Sequence, residues 1–131
     1  VHMCRGNFKS AWVAQGGYEP VAAEVLGKMA VDGFFMEYDS ERAGGFEPLR
    51  HLADGKVVVL GLVSTKTPDL EAADDLKRRI EEATKYVPLE RLCLSPQCGF
   101  SSTHHGNAVT VDDEKAKLGL VVNTAAEVWG G

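Results

Sequence analysis

His2, Cys4 and Cys98 are three residues of types that zinc binds. His2 and Cys4 are separated by a single residue, and Cys98 follows much later, in Ser95-Pro96-Gln97-Cys98. Imidazole nitrogen and thiolate sulfur are preferred zinc ligands, and a zinc ion that keeps one coordination position exchangeable is of the catalytic type. If the fold brings these residues together, they predict a zinc site of the kind that activates a thiol.

These residues also fit structural roles. A His-x-Cys pair is a short and weakly specific pattern, and Cys98 would serve as a small apolar residue in a core. Glu37, a fourth residue of zinc-ligand type, could instead pair with Arg42 or Arg50 in the segment that follows it. The residues by themselves leave both interpretations open.

Two other groups of potential metal ligands are better explained by structure. Cys93 lies inside an apolar segment, so we expect it in the core, where free cysteine is common. His104 and His105 are adjacent in sequence, and adjacent side chains in one segment rarely converge on a single ion. We therefore interpret the two histidines as part of an exposed loop.

The elements that position these residues alternate between short β-rich segments and longer helical ones. Strands are predicted at 1–4, 33–38, 56–63 and 92–95 by aromatic and β-branched runs. Helices are predicted at 20–29 and 67–87, each with a proline in its first turn, and a third begins with a capping box of Thr110 and Asp113. Strands that alternate with helices predict an α/β protein with a parallel sheet.

The candidate ligands all fall at one end of this predicted sheet. In parallel α/β architectures the chemistry gathers at the carboxyl ends of the strands. His2 and Cys4 end the first predicted strand, Glu37 lies at the end of the second, and Cys98 follows the fourth. This placement permits a cluster of the four side chains.

Composition restricts the class of protein. The chain has 131 residues, of which 44% are apolar and 25% charged, as expected of one globular domain. A net charge of -5 with scattered basic residues argues against a nucleic-acid or anionic-membrane partner. No apolar run suggests a membrane span or a leader, so we expect a cytoplasmic protein with free or metal-bound cysteines.

Five segments, taken in order along the chain, carry a family resemblance: His2-Met3-Cys4-Arg5-Gly6-Asn7, Phe35-Met36-Glu37-Tyr38-Asp39, Phe46-Glu47-Pro48-Leu49-Arg50, Leu60-Gly61-Leu62-Val63 and Ser95-Pro96-Gln97-Cys98-Gly99-Phe100. They resemble the carboxyl-terminal part of the cobalamin-independent methionine synthases. In that family a zinc at the top of a (β/α)8 barrel is held by an H-x-C pair, a glutamate and a distant cysteine. The resemblance implies that His2, Cys4, Glu37 and Cys98 are the metal ligands of this chain.

The resemblance also implies a reaction. Members of this family transfer a methyl group from a methylated folate to the thiol of homocysteine and form methionine. The thiol is mostly protonated at neutral pH, and coordination to zinc supplies the thiolate that the transfer needs. The implied cofactor is therefore zinc, and the implied partners are these two small molecules; the substrate-binding residues are not assigned.

The predicted elements amount to about half of a TIM (β/α)8 barrel. A complete barrel takes about 250 residues and eight βα units, whereas residues 1–131 supply four strands and three helices. We therefore expect a single partial barrel domain that corresponds to the carboxyl-terminal half. Its open inner face and end strands predict either a homo-oligomer or a complementary half-barrel chain as partner.

Two alternatives to the methionine-forming reaction remain. The chain could be a non-catalytic zinc-binding or assembly fragment that keeps the ligands without a substrate pocket. It could also be a zinc-dependent thiol alkyltransferase that acts on another electrophile, such as the epoxide used by the related epoxide:thiol transferases.

Overall fold

The computed structural model describes residues 1–4, 16–40, 43–101 and 103–131, and the backbone of 7–8 and 11–12. Helices and strands alternate along the chain as the sequence predicts. The strands are β1 (His2–Met3), β2 (Asn7–Phe8), β3 (Ala11–Trp12), β4 (Gly33–Glu37), β5 (Val57–Val63) and β6 (Leu92–Pro96), and the helices are α1 (Glu19–Lys28), α2 (Ala73–Ala83) and α3 (Val111–Trp129).

Four strands form one sheet in the order β1-β4-β5-β6, and every neighbouring pair is parallel. β2 and β3 form a separate antiparallel pair. The central strand β5 carries the Val-rich run and is buried along almost its whole length, as expected where helices and neighbouring strands cover it. The predicted α/β fold with a parallel sheet is confirmed.

The two faces of this sheet differ. Side chains alternate between faces along a strand, and one face contributes the buried side chains of Phe34, Met36, Val58 and Leu60 to the core that α1 and α2 cover. The opposite face, which we call the inner face, carries Phe35, and the side chain of Phe35 is 48% exposed. Helices of the described chain therefore cover one face of the sheet.

Cys93 lies on the inner face and not in the core. It pairs with Val59, which in turn pairs with Phe35, and it is exposed. The prediction that Cys93 is a core residue was wrong, because the apolar side chains that flank it in β6 point toward the helices and leave Cys93 on the opposite face.

Helix α2 begins later than the proline signal predicts. It starts at Ala73 without a side-chain cap, so the predicted cap at Thr67 was wrong. The segment before α2 is held as a loop instead, because Lys117 donates hydrogen bonds to the carbonyl of Asp69 and to the carboxylate of Glu71. These tertiary contacts outweigh a local start signal.

Helix α3 begins as predicted. Thr110 and Asp113 form a capping box in which Asp113 N donates to Thr110 Oγ1 and Thr110 N donates to Asp113 Oδ2 at 2.8 Å. The hydrogen bonds from Thr110 hold the pKa of the Asp113 carboxyl below its usual value. Among the described residues, no helix is both long and apolar enough to cross a membrane.

Candidate metal centre

The register of the sheet places the first candidate ligands opposite one another. His2 pairs with Phe35 and Met3 pairs with Met36, so Cys4 comes level with Glu37. Because side chains alternate, those of His2, Cys4 and Glu37 belong to the same face. The carboxyl ends of β1 and β4 thus present imidazole, thiol and carboxylate at one edge of the sheet.

A buried tyrosine hydroxyl ties these two strand ends together. Tyr18 is fully buried, and its hydroxyl donates to the carbonyl of Met3 at 2.9 Å and accepts from the backbone N–H of Glu37 at 2.7 Å. Met3 lies between His2 and Cys4, so this hydroxyl fixes the backbone of the H-x-C pair relative to that of Glu37. No sequence pattern around Tyr18 indicates this role.

The distant cysteine reaches the H-x-C pair. The ligand atoms of His2, Cys4 and Cys98 all lie within 4.8 Å of one another. Tetrahedral zinc with one nitrogen and two sulfur ligands needs ligand atoms about 3.5–3.8 Å apart. One nitrogen and two sulfurs at this spacing therefore suit zinc after a small contraction of the three side chains.

Cys98 is brought there by the turn that follows β6. Gln97 precedes it and packs its side chain against Gly61 of β5, where an added Cβ would lie 2.6 Å from Gln97 Oε1 and 2.9 Å from the carbonyl of Met36. Only glycine allows this close approach. A cavity of about 310 Å³ lies beside Cys98 and is bordered by His2 and Phe35.

The electrostatics of Cys98 favour the neutral thiol in the absence of a cation. Partial burial, and then the hydrogen bond and charge of Cys4, raise the pKa of Cys98 to about 12, against a smaller opposing effect of Lys66. Burial and the neighbouring Cys4 keep this thiol neutral. It becomes a metal ligand when a cation binds and displaces its proton.

Glu37 occupies a different position from the other three predicted ligands. Glu37 is completely buried. Its carboxylate contributes to the raised pKa of Cys98, so the Glu37 side chain faces His2, Cys4 and Cys98. Within the described part of the chain, Glu37 does not join the group whose ligand atoms all lie within 4.8 Å. The role of Glu37 as fourth ligand stays a prediction.

The two alternative partners of Glu37 can be placed only in part. Arg50 forms an ion pair with Glu19, which accounts for its charge, and Arg42 lies outside the described residues. His104 and His105 are exposed, and their rings contact each other at a tilt of 42° with centroids 3.8 Å apart. Their exposure agrees with the interpretation of an exposed loop.

Comparison with protein families assigns the chain to one family. Residues 1–127 match the family described as "Cobalamin-independent synthase, Catalytic domain". The chain therefore belongs to the family of cobalamin-independent synthase catalytic domains, and the resemblance seen in the sequence is confirmed.

Individual relatives agree with this assignment. The chain is 53% identical over 130 residues to YxjG of Bacillus subtilis, covering 98% of this chain and 34% of that protein. A Listeria monocytogenes protein, solved as a structural-genomics target, superposes with a TM-score of 0.72 at 36% identity, over 99% of this chain and 34% of that one. The chain thus spans about a third of the length of these relatives.

A third comparison concerns the fold. A B12-independent methionine synthase from Shewanella sp. W3-18-1, solved in complex with selenomethionine, superposes with a TM-score of 0.77 at 22% identity, over 99% of this chain and 38% of that one. At this identity the likeness establishes a shared fold.

Proposed function

We propose that the chain forms the zinc-bearing part of a methyltransferase that moves a methyl group from a methylated folate to the thiol of homocysteine and so forms methionine. The observation that carries this proposal is the convergence of the His2, Cys4 and Cys98 ligand atoms in a member of the cobalamin-independent synthase family. Glu37 is proposed as the fourth ligand.

The chain's own residues prepare the site for a thiol substrate. A zinc ion bound there supplies a Lewis acid that keeps a thiol deprotonated near neutral pH. Tyr18 holds the H-x-C backbone against that of Glu37, and the cavity beside Cys98 leaves room for a small molecule. Phe35, with its half-exposed ring, offers apolar contact to the methylene groups of such a substrate.

Two alternative functions would use the same zinc ligands. Zinc-dependent alkylation of a thiol by an epoxide needs the same activated sulfur and a different electrophile. A non-catalytic zinc-binding or assembly fragment is favoured by the open inner face, because a substrate pocket that is closed on one side only excludes little water.

Methyl transfer by the zinc-loaded chain separates these functions. We expect methionine to form from homocysteine and 5-methyltetrahydrofolate, and expect no product when the same chain is treated with a chelator. Formation of a thioether with epoxypropane and not with the folate would assign the alkyltransferase function. Stoichiometric zinc with neither product would assign the non-catalytic role and contradict the enzymatic proposal.

We also propose that the inner face is covered by a second copy of the chain or by a chain that carries the remaining βα units. Phe35 and Cys93 are exposed on this face, and β6 forms an open edge of the sheet, where unpaired backbone groups favour association. The proposed surroundings are cytoplasmic, without nucleic-acid or membrane partners.

Association should depend on the inner face. We expect the chain to sediment as a dimer or larger species at micromolar concentration, and the Phe35→Glu variant to shift toward monomer because a carboxylate on this face opposes burial. Val21→Glu is the matched control, since Val21 is 45% exposed on α1, which covers the opposite face of the sheet. A monodisperse wild-type monomer that gains no mass with an added half-barrel chain would contradict the proposal.

A further inference from the structure

The turn that carries Cys98 is fastened to β5 on its amino-terminal side. Gln97 donates its backbone N–H to the carbonyl of Val63 at 2.8 Å, and Val63 is the last residue of β5. Gly99, on the other side of Cys98, has a φ of 109°, which favours glycine. Because the chain turns sharply there, the place of the Cys98 thiol also depends on what holds Gly99.

Asn107 holds the carboxyl-terminal side of this turn. Its side-chain nitrogen Nδ2 donates to the carbonyl of Gly99 at 3.3 Å and to the carbonyl of Thr65 at 3.0 Å. Thr65 is completely buried and lies two residues after β5. Both acceptors are carbonyl oxygens, which match the two N–H donors of an asparagine amide. One side chain therefore joins Gly99 to the segment that follows β5.

Cys98 thus lies between two residues that are tied to the same strand end. Gln97 is tied directly, and Gly99 is tied through Asn107. His2, the ligand on the other side of the site, belongs to β1, which pairs with β4 and through it with β5. The sheet is therefore the common frame, and Asn107 is one of the two links that hold the Cys98 turn to it.

The amide of Asn107 is suited to act through Cys98 and not as a ligand. An amide nitrogen that donates two hydrogen bonds offers no lone pair to a cation. A metal centre needs its ligands held close to the final geometry by the groups behind them, and loss of such an outer partner costs about 10- to 100-fold in metal affinity. The ligand atoms of His2, Cys4 and Cys98 already lie within 4.8 Å of one another, so a small shift of the turn matters.

The loop between Gly99 and Asn107 also has hydrogen bonds of its own. Ser101 Oγ and the backbone N–H of Gly106 both donate to the carbonyl of Thr103 at 3.0 Å. These bonds order the middle of the loop, whereas the Asn107 amide fixes its base beside Cys98. Substitution can therefore separate general order of the loop from placement of the thiol.

We propose that Asn107 is a positioning residue of the metal centre, which holds Cys98 in reach of His2 and Cys4 by joining Gly99 to Thr65. The proposal rests on the zinc site of the proposed function and adds to it a residue outside the ligand set. Zinc affinity, and not only order of the loop, then depends on the Asn107 amide.

Zinc affinity gives the first test. Asn107→Leu keeps the branched shape of the side chain and lacks both N–H donors, so we expect zinc to bind about 10- to 100-fold more weakly in competition with a chromophoric chelator. Asn123→Leu is the matched control, since Asn123 is exposed on α3, and it should bind zinc as the wild type does. Ser101→Ala should also do so; an equal loss in Ser101→Ala would make loop order the cause and overturn the proposal.

Cross-linking of the zinc-free chain gives a second test that needs no metal. Dibromobimane becomes fluorescent when two nearby thiolates each displace one bromide, and Cys93→Ser removes the third thiol of the chain. In this background we expect Cys4 and Cys98 to be cross-linked, and Asn107→Leu to lose most of the cross-linked product. Reaction with monobromobimane, which needs one thiolate at a time, should be unchanged. Unchanged cross-linking beside weakened zinc binding would place the effect elsewhere and overturn the proposal.

Asn107→Ala separates the lost donors from the added methyl groups of leucine. It should show the same two losses, with both assays run below the thermal midpoint of every zinc-free variant. Losses in Asn107→Leu alone would be steric and would overturn the proposal, as would wild-type behaviour of both variants.

The outcomes also separate Asn107 from the proposed reaction. Both losses in a chain whose wild type binds zinc but forms no methionine would support the role of Asn107 and reject the reaction alone. Methionine formation with unaltered zinc affinity and cross-linking in the Asn107 variants would reject the role of Asn107 alone. A wild type that neither binds zinc nor cross-links would overturn both proposals.

Discussion

Replacement of Cys98 by serine is expected to strip zinc from the protein. Cys98 contributes one of three ligand atoms that lie within 4.8 Å of one another, and a serine hydroxyl is a poor zinc ligand at neutral pH. Loss of an outer partner of a ligand costs about 10- to 100-fold in metal affinity, so loss of the ligand itself should cost more than about 100-fold. Competition with a chromophoric chelator measures the affinity, and native mass spectrometry counts the bound metal.

Cys93→Ser is the matched control for this experiment. Cys93 lies five positions earlier, is exposed, and is a free cysteine like Cys98, so it controls for the loss of one thiol. We expect this variant to keep one zinc per chain with unchanged affinity. Equal loss of zinc from both variants, or full zinc in Cys98→Ser, would contradict the proposed metal centre.

The second large effect is expected at Lys117, which is completely buried on α3. Its ammonium forms an ion pair with Glu71 at 3.1 Å, and Glu71 Oε1 also accepts the backbone N–H of Ser64 after β5. Removal of one partner of a buried pair costs about 3–5 kcal/mol. Because the Glu71 side chain is 24% exposed, we expect Lys117→Met to lower the free energy of unfolding by about 3 kcal/mol in chemical denaturation, at the lower end of that range.

Two comparisons make the Lys117 prediction specific. Lys115→Met alters an exposed lysine two positions away on the same helix and should change stability by less than about 0.5 kcal/mol. Lys117→Met/Glu71→Gln should recover part of the loss, because no buried charge is then left alone. Additive effects of the two single substitutions would show that the pair is not coupled.

The sequence predicts most of the regular structure. The strands predicted at 33–38, 56–63 and 92–95 each differ from β4, β5 and β6 by a single residue at one end, because β-branched and aromatic runs indicate burial within a sheet. The start of α1 and the Thr110 capping box follow for a similar reason, since both depend on neighbours a few residues apart. The late start of α2 cannot be predicted from neighbouring residues, because it depends on the hydrogen bond from Lys117 to the carbonyl of Asp69, 48 positions apart along the chain.

The candidate metal centre could likewise be predicted from the sequence only in part. The types of its residues and their places at the carboxyl ends of parallel strands are determined by the sequence, and the resemblance named all four proposed ligands. Only the tertiary structure decided that Cys98 meets His2 and Cys4, that Glu37 is buried just beside them, and that Cys93 faces away from the core. It also joined Asn107 to Thr65, 42 residues apart. Local patterns record which side of an element is buried, whereas contacts between distant residues depend on how the elements pack and how the turns between them fold back.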